Sequence, residues 1–383
     1  MQSTLRAIQA HRALHLDIIA TGIHLLPEFG STARLIRADG WRIAARVRMQ
    51  RGDGSPLDQA NGLGRGVSGI ARTLNTLHSD IVLVVGDRIE ALAGALAGVT
   101  TGRIVAHVHG GDVAAGDFDD AIRHAITKLS HVHLAATRAS AARMIRMGEE
   151  RRRVHVVGAP AMDELLALTR EADARSAGLR EFAPDLGANP FALVLHHATG
   201  RADDIERRVM GGILQTVARS GLFPWILYPN TDRGHRGVMA AIEEFRRSAP
   251  RLREAAGRAG ADLHGSRSVG RISRSLPRGE FLRALRDCAV LIGNSSAGMI
   301  EAPMMGTPTV NVGDRQRGRQ RGGPCVIDCG ESPAQVRAAI SKAMRMRRRP
   351  GRVYGDGHTG PRIAAVLAGL RQDREFCRKL ITY

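Results

Sequence analysis

The chain is 383 residues long and carries a formal charge of +19, from 56 basic and 37 acidic side chains. No run of about 18 apolar residues is present, which argues against a membrane-spanning helix, and an aromatic content of 3% is poor in the stacking residues that nucleic-acid binders interleave with arginine. Only Lys128, Lys342 and Lys379 are lysine, so the charge reads as the arginine bias of a GC-rich genome and as a surface that attracts anionic metabolites.

The length allows two domains, each with its own core. The opening MQSTLRAIQAHRALH has no apolar stretch with a cleavage site behind it. Cys288, Cys325, Cys329 and Cys377 fit no paired zinc spacing. A cytoplasmic protein with reduced thiols is expected.

Along the chain, short apolar runs alternate with amphipathic ones, the pattern of strands and helices in a parallel sheet. Strands are predicted at 16–20, 81–85, 103–108, 132–136 and 154–157, each ending in a polar or glycine-containing turn. Helices are predicted at 89–98 and 119–130. The pattern weakens across 168–189 and restarts with strands at 191–195, 225–228, 289–292 and 308–312. A helix over 203–219 should be capped by Asp203 or Asp204 and bury Val209, Ile213, Leu214 and Val217. Two doubly wound halves predict an intervening cleft, with ligands beyond the carboxyl ends of the strands. The expected domains are 1–170, for sugar chemistry, and 187–383, for nucleotide binding, the last helix packing back on the first.

The turns after these strands hold the unusual residues. Gly86-Asp87-Arg88 sets a carboxylate beside a guanidinium, which reads as an ion pair or as site groups. In His107-Val108-His109-Gly110-Gly111-Asp112, strand alternation would put His107 and His109 on one face, better placed for acid–base work than for a metal, since no companion ligand set is evident. Phe118-Asp119-Asp120 opens a helix that an aspartate can cap, and His124, Lys128 and His131 would share its face. His196-His197 ends a strand of the second half. Asn230, in Tyr228-Pro229-Asn230-Thr231-Asp232, suits the reading of a base edge, although the segment is also good turn chemistry. Gly293-Asn294-Ser295-Ser296-Ala297-Gly298 offers backbone N–H groups and hydroxyls to a diphosphate, with Gly298 allowing close approach. Glu301, a turn and a half into the helix, can accept from two ribose hydroxyls, and Arg315 adds charge against phosphate. The plainer alternative is a strand–turn–helix with serine as N-cap.

Taken together and in this order, GDR, HVHGGD, DDAIRHAITK, the strand-ending histidine, YPNTD, GNSSAGMIE and GDRQRGR resemble the hydrolysing UDP-N-acetylglucosamine 2-epimerases, over about residues 16–370. The non-hydrolysing epimerases carry H-V-E-A-G-L-R instead. The resemblance implies a glycosyltransferase-B-like α/β fold, two Rossmann-like doubly wound domains facing a cleft. It implies that Ser295, Ser296 and Arg315 hold the diphosphate, Glu301 the ribose, and Asn230, Arg236 and Phe281 the rest of the nucleotide. Arg88 and His197 would approach the diphosphate from opposite sides of the cleft. Asp87, Asp119 and the His109–Asp112 loop would face the sugar. The implied reaction breaks the C1–O bond to UDP, removes the acidified C2 hydrogen to give a glycal, and adds water with inversion at C2, as in sialic-acid-type sugar biosynthesis. It calls for charge on the leaving diphosphate and an acid–base group at the ring, and for neither metal nor redox cofactor. A homo-oligomer, dimer or tetramer, is implied, without nucleic-acid or membrane partners.

Three departures stand out. Asp112 replaces the usual Glu, about 1.5 Å shorter in reach. Ala198 replaces a proline after His197, which predicts a looser turn. The family also opens with a strand and a G-[TS]-R-A-[DE]-Y loop, whereas this chain starts in what would be the following helix; a start codon assigned too late is the expectation. Alternatives are the same chemistry on a UDP-2,4-diacetamido-trideoxyhexose, a nucleotide-sugar binder without turnover, and a glycosyltransferase, which would need an acceptor.

Overall fold

All strand pairs among the described residues are parallel. The computed structural model describes residues 1–27, 32–51, 55–113, 118–172, 183, 186, 190–258, 270–371, 373–380 and 382. They fall into two units, Met1–Ala167 with Tyr354–Tyr383, and Leu168–Val353. The linker expected over 170–187 lies mostly outside the described residues.

In the first unit β1 (Ile18–Thr21) pairs with β2 (Ile43–Val47) in a ladder of its own. A second sheet runs in the order β3 (Ile81–Val85), β4 (Ile104–Val108), β5 (Val132–Ala135) and β6 (Val154–Val156). Alternation along the strands sorts side chains onto two faces. Val82, Val84 and Val105 pack with Ile70, Leu74 and Ala93 from the helices Pro56–Thr76 and Ile89–Thr100. Ile104, Ala106 and Leu134 pack on the other side with Ile8 and with Ile363 and Leu367 of the helix Thr359–Ala368. Burying each such aliphatic side chain contributes about 1.5–3 kcal/mol.

An ion cluster ties down the end of the chain. Glu149, 1% exposed, meets Lys379 at 2.6 Å, His133 at 2.8 Å and Lys128 at 3.0 Å. Burial alone would raise its carboxyl, but the hydrogen bonds from His133 and Lys379 bring it down to about 2. Lys128 is thus absorbed structurally. His131 is not on the same helical face, because the helix Asp119–Leu129 has ended before it; its Nδ1 accepts from the Val105 N–H at 3.0 Å.

The second unit is a six-stranded sheet. Its strands are β7 (Phe191–Leu195), β8 (Phe223–Leu227), β9 (Arg271–Ser273), β10 (Val290–Gly293), β11 (Thr309–Val312) and β12 (Val326–Cys329). They lie in the order β12-β11-β10-β7-β8-β9, the doubly wound arrangement whose strand order reverses between β7 and β10. Both faces are covered: Ala192, Val194, Val290 and Ile292 enter one apolar cluster, and Phe191, Leu193, Trp225 and Leu291 the other. The helix Asp203–Ala218 buries Met210, Ile213, Leu214 and Val217, but its N-cap is Ala202, with Asp203 and Asp204 inside the first turn. There they act on the helix dipole rather than as caps. No helix among the described residues is long and apolar enough to cross a membrane.

Candidate functional site

The topology of the second unit selects its site: ligands of open α/β sheets bind where the strand order reverses, past the carboxyl ends of the two central strands. Beyond β7 lies His197, and beyond β10 lie Asn294, Ser295 and Ser296. Gly293 permits the close approach, with φ 141° and a position where a Cβ would collide with the Leu195 carbonyl. Asn294, 1% exposed, clasps the two strand ends. Its Oδ1 accepts from the His197 N–H at 2.7 Å, and its Nδ2 donates to the His197 carbonyl at 2.8 Å.

The His197 ring is fixed by Asn230, whose backbone N–H donates to Nδ1 at 3.1 Å. A ring nitrogen that accepts carries no proton, so the neutral ring holds its proton on Nε2, as a donor. Gln316 donates to the Asn294 carbonyl at 2.8 Å, and Arg315 reaches Asp232 at 3.2 Å. Asn230 Nδ2 donates to the same Asp232 at 2.6 Å. His197, Asn230, Asn294 and Arg315 therefore belong to one hydrogen-bonded cluster, and Ser295 follows Asn294 directly in the chain.

Ser295 is the N-cap of a short 3-10 turn, Ser296–Gly298, accepting from the Ala297 N–H at 3.3 Å. The plain N-cap reading thus holds alongside the position at the switch point. Glu301 is not a turn and a half into a helix; it begins a separate helix, Glu301–Met304. It pairs with Arg278 at 2.8 Å, and Arg278 lies 5.6 Å from the Phe281 ring centroid. A Cβ at Gly298 would meet the Thr309 side chain of β11. Arg236 is exposed on the helix His235–Arg258. The turn after His197 is pinned despite Ala198, since the buried Glu206 accepts from both the Thr199 N–H and its hydroxyl at 2.8 Å.

His196, the partner of His197 in the sequence, is wholly buried, and among the described residues neither ring nitrogen has a partner. Burial pushes its imidazole down to about 4, so it stays neutral near pH 7.

In the first unit the groups gather past β3 and β4. Asp87 pairs with Arg123, not with its neighbour Arg88, which lies 3.5 Å from Glu90. Arg123 is 1% exposed and also meets Asp120 at 3.5 Å and the His109 carbonyl at 3.4 Å. A buried guanidinium needs such partners: removing one costs about 3–5 kcal/mol. His107 and His109 diverge, because β4 ends at Val108 and His109 adopts a left-handed φ of 66°. His107 is buried, bonded to the Gly86 carbonyl at 2.8 Å, and pushed down to about 3 chiefly by burial.

His109 turns to Asp112, with Nδ1 3.0 Å from Oδ2. Asp112, 4% exposed, uses its other oxygen to accept from Ser140 Oγ at 2.6 Å. Both carboxylate oxygens are engaged, so the shortened Asp112 orients the imidazole and leaves Nε2 as the working atom. Arg143 holds the Gly111 carbonyl beside it. Asp119 is half-buried in the first turn of its helix, which is capped by Phe118. Among the described residues, no group of three or more His, Cys, Asp or Glu is placed for a metal ion.

The sequence reading missed Arg123, Ser140, Asn294, Asp232 and Arg278. Arg123, Asn294 and Asp232 lay inside quoted motifs, where their being polar was the only available signal. Ser140 and Arg278 carried none, because their roles depend on tertiary placement.

A family model described as UDP-N-acetylglucosamine 2-epimerase matches residues 6–368. A Legionella pneumophila UDP-N,N'-diacetylbacillosamine 2-epimerase (hydrolyzing) is 30% identical over 387 residues, covering 100% of this chain and 96% of that protein. A Neisseria meningitidis UDP-N-acetylglucosamine 2-epimerase is 29% identical over 325 residues, 84% of this chain and 78% of its own length. Among solved structures, Methanocaldococcus jannaschii UDP-GlcNAc 2-epimerase, in complex with UDP-GlcNAc and UDP, superposes with a TM-score of 0.74 at 19% identity, over 96% of this chain and 95% of that one. That likeness bears out the α/β, glycosyltransferase-B-like fold class.

Proposed function

The chain belongs to the UDP-N-acetylglucosamine 2-epimerase family, and from that premise we propose that it hydrolyses UDP-N-acetylglucosamine to UDP and N-acetylmannosamine. The observation that carries the reading is the His109–Asp112–Ser140 chain, an imidazole with one nitrogen held at 3.0 Å by a buried carboxylate and the other left to act. His197 Nε2–H, Ser295, Ser296 and Arg315 bind the diphosphate; Arg88 adds charge to it. Glu301 takes the ribose, and Asn230, Arg236 and Phe281 the remainder of the nucleotide.

The C1–O bond breaks with its electron pair leaving on the diphosphate. The C2 proton passes to a carboxylate, Asp87 by its fixed pairing with Arg123, or Asp119. The resulting glycal takes up water oxygen at C1 and a proton from His109 at C2 on the opposite face. Of the two protons then in hand, the one on the carboxylate and the one released by water, one returns to His109 and the other leaves with UDP or to solvent, which restores both groups. Donors fixed before the reaction stabilise the departing charge without reorganisation.

A second substrate is favoured by one finding: the Legionella relative, matched over the whole chain, is named for UDP-N,N'-diacetylbacillosamine. The same chemistry then acts on a UDP-2,4-diacetamido-trideoxyhexose. Incubation with each UDP-sugar, followed by phosphorus and proton NMR, tests both readings. Free 2-epimer and UDP from either sugar are expected. UDP released with a sugar of unchanged C2 configuration, or a UDP-linked 2-epimer without free UDP, would contradict the proposal.

A further inference from the structure

A groove of 710 Å³ runs between β2 and the helix Pro56–Thr76, a volume usual for small-molecule sites. None of its lining residues belongs to the clusters described above. Five guanidinium groups line it, those of Arg46, Arg48, Arg51, Arg65 and Arg72, and among the described residues no carboxylate does. Arg65 is held in place, donating to the Met49 carbonyl at 2.6 Å and to Asp58 at 3.1 Å. The other four are exposed, and among the described residues none is paired with a carboxylate.

An arginine-rich surface alone would explain scattered cations, so convergence decides. Elsewhere exposed arginines either meet acids, as Arg208 meets Asp204 at 3.3 Å and Arg362 meets Asp356 at 2.8 Å, or have no such partner among the described residues, as Arg6, Arg42 and Arg236. Along the groove four without such a partner line one cavity. Arg46 lies on β2 and Arg48 one residue past its end, so their Cα atoms are at most about 7 Å apart, inside the screening length of about 10 Å at 0.1 M salt. An anion bound between them would relieve their mutual repulsion.

The remaining donors agree. β2 is the edge of its ladder, so backbone N–H groups along its outer side lack a strand partner. Thr73 and Thr76 donate back to the Gly69 and Arg72 carbonyls, which leaves Ser68 as the lining hydroxyl to donate outward. Among the described residues no aromatic side chain lines the groove, so it reads phosphate rather than stacking on a base.

We propose that this groove is a second anion site, for a small molecule carrying two or more phosphate groups, separate from the nucleotide-sugar site. The test is calorimetric titration of the full chain with inorganic pyrophosphate, with UDP present at saturation to occupy the other site. One further pyrophosphate per chain is expected, weakened at least tenfold in Arg46→Glu/Arg72→Glu and in the milder Arg46→Gln/Arg72→Gln. UDP affinity, turnover without pyrophosphate and circular dichroism should remain unchanged in both. Absence of pyrophosphate binding above UDP saturation, or binding undiminished in both variants, would overturn the proposal. So would a change of sedimenting mass in the variants without pyrophosphate binding, which would make the groove a contact between copies. Displacement of pyrophosphate by a single-stranded oligonucleotide that binds more tightly would make it a nucleic-acid surface instead.

Discussion

The two units order polar groups past their parallel strands by different means. In the first, side chains hold side chains: Asp87 by Arg123, His109 by Asp112, Asp112 by Ser140. In the second, the fixed points are backbone groups: Asn294 clasps the backbone of His197, and the Asn230 N–H sets the His197 ring. An acid–base centre needs titratable groups aimed at one atom, which charged partners supply. A diphosphate cradle needs N–H groups and a neutral scaffold at a sheet's switch point, which backbone geometry supplies. Damage to the first should therefore strike turnover, and damage to the second should strike binding and folding.

The largest effect is expected from His109→Asn, which keeps a polar group facing Asp112 but removes the imidazole. Turnover should fall by about a hundred- to ten-thousand-fold, while UDP affinity by titration stays within about twofold. A parallel loss of UDP affinity would erase the division between the units. Next comes Asn294→Ala. Its two backbone bonds at 2.7 and 2.8 Å would leave buried groups unpaired, at about 1–3 kcal/mol of unfolding free energy. UDP affinity should drop about tenfold, and denaturant melts together with UDP titration check both. Turnover at saturating substrate should change far less than in His109→Asn.

The smallest effect sharpens the comparison through pH. His107 in the first unit and His196 in the second are pushed below the ordinary 6.5, to about 3 and about 4, by burial. The unfolded chain then takes up their protons first. The stability they preserve is complete above about pH 6.5 and is lost progressively as pH falls towards those lower values, at up to about 1.4 kcal/mol per pH unit for each ring. His196→Leu should reduce the slope of unfolding free energy between pH 7 and 5 by up to one ring's share, read from urea melts. An unchanged slope would show that this ring is not buried neutral.

Much of this was legible in the sequence, and the exceptions have physical reasons. Predicted strands such as 81–85 and 191–195 coincide with β3 and β7 because strands covered on both faces are apolar throughout. β2, β9 and β12 were not predicted, and each is an edge: β2 exposes Arg46, β9 is three half-buried residues, and β12 exposes Asp328. Residue types at strand ends pointed to His109, His197 and Ser295 as candidates. Their partners were not legible, since Asp87 finds Arg123 at a separation of 36 residues rather than Arg88 next to it. The turn of His109 out of strand register depends on a left-handed φ that a histidine does not advertise.

The most direct test of the account is turnover of UDP-N-acetylglucosamine in D2O, followed by proton NMR, in the wild type and in His109→Asn. The account predicts N-acetylmannosamine carrying one deuterium at C2 from the wild type, with the rate of its formation falling by at least a hundredfold in the variant. Product that retains the C2 hydrogen, or a variant that labels as fast as the wild type, would contradict the assignment of His109 as the proton donor to the glycal.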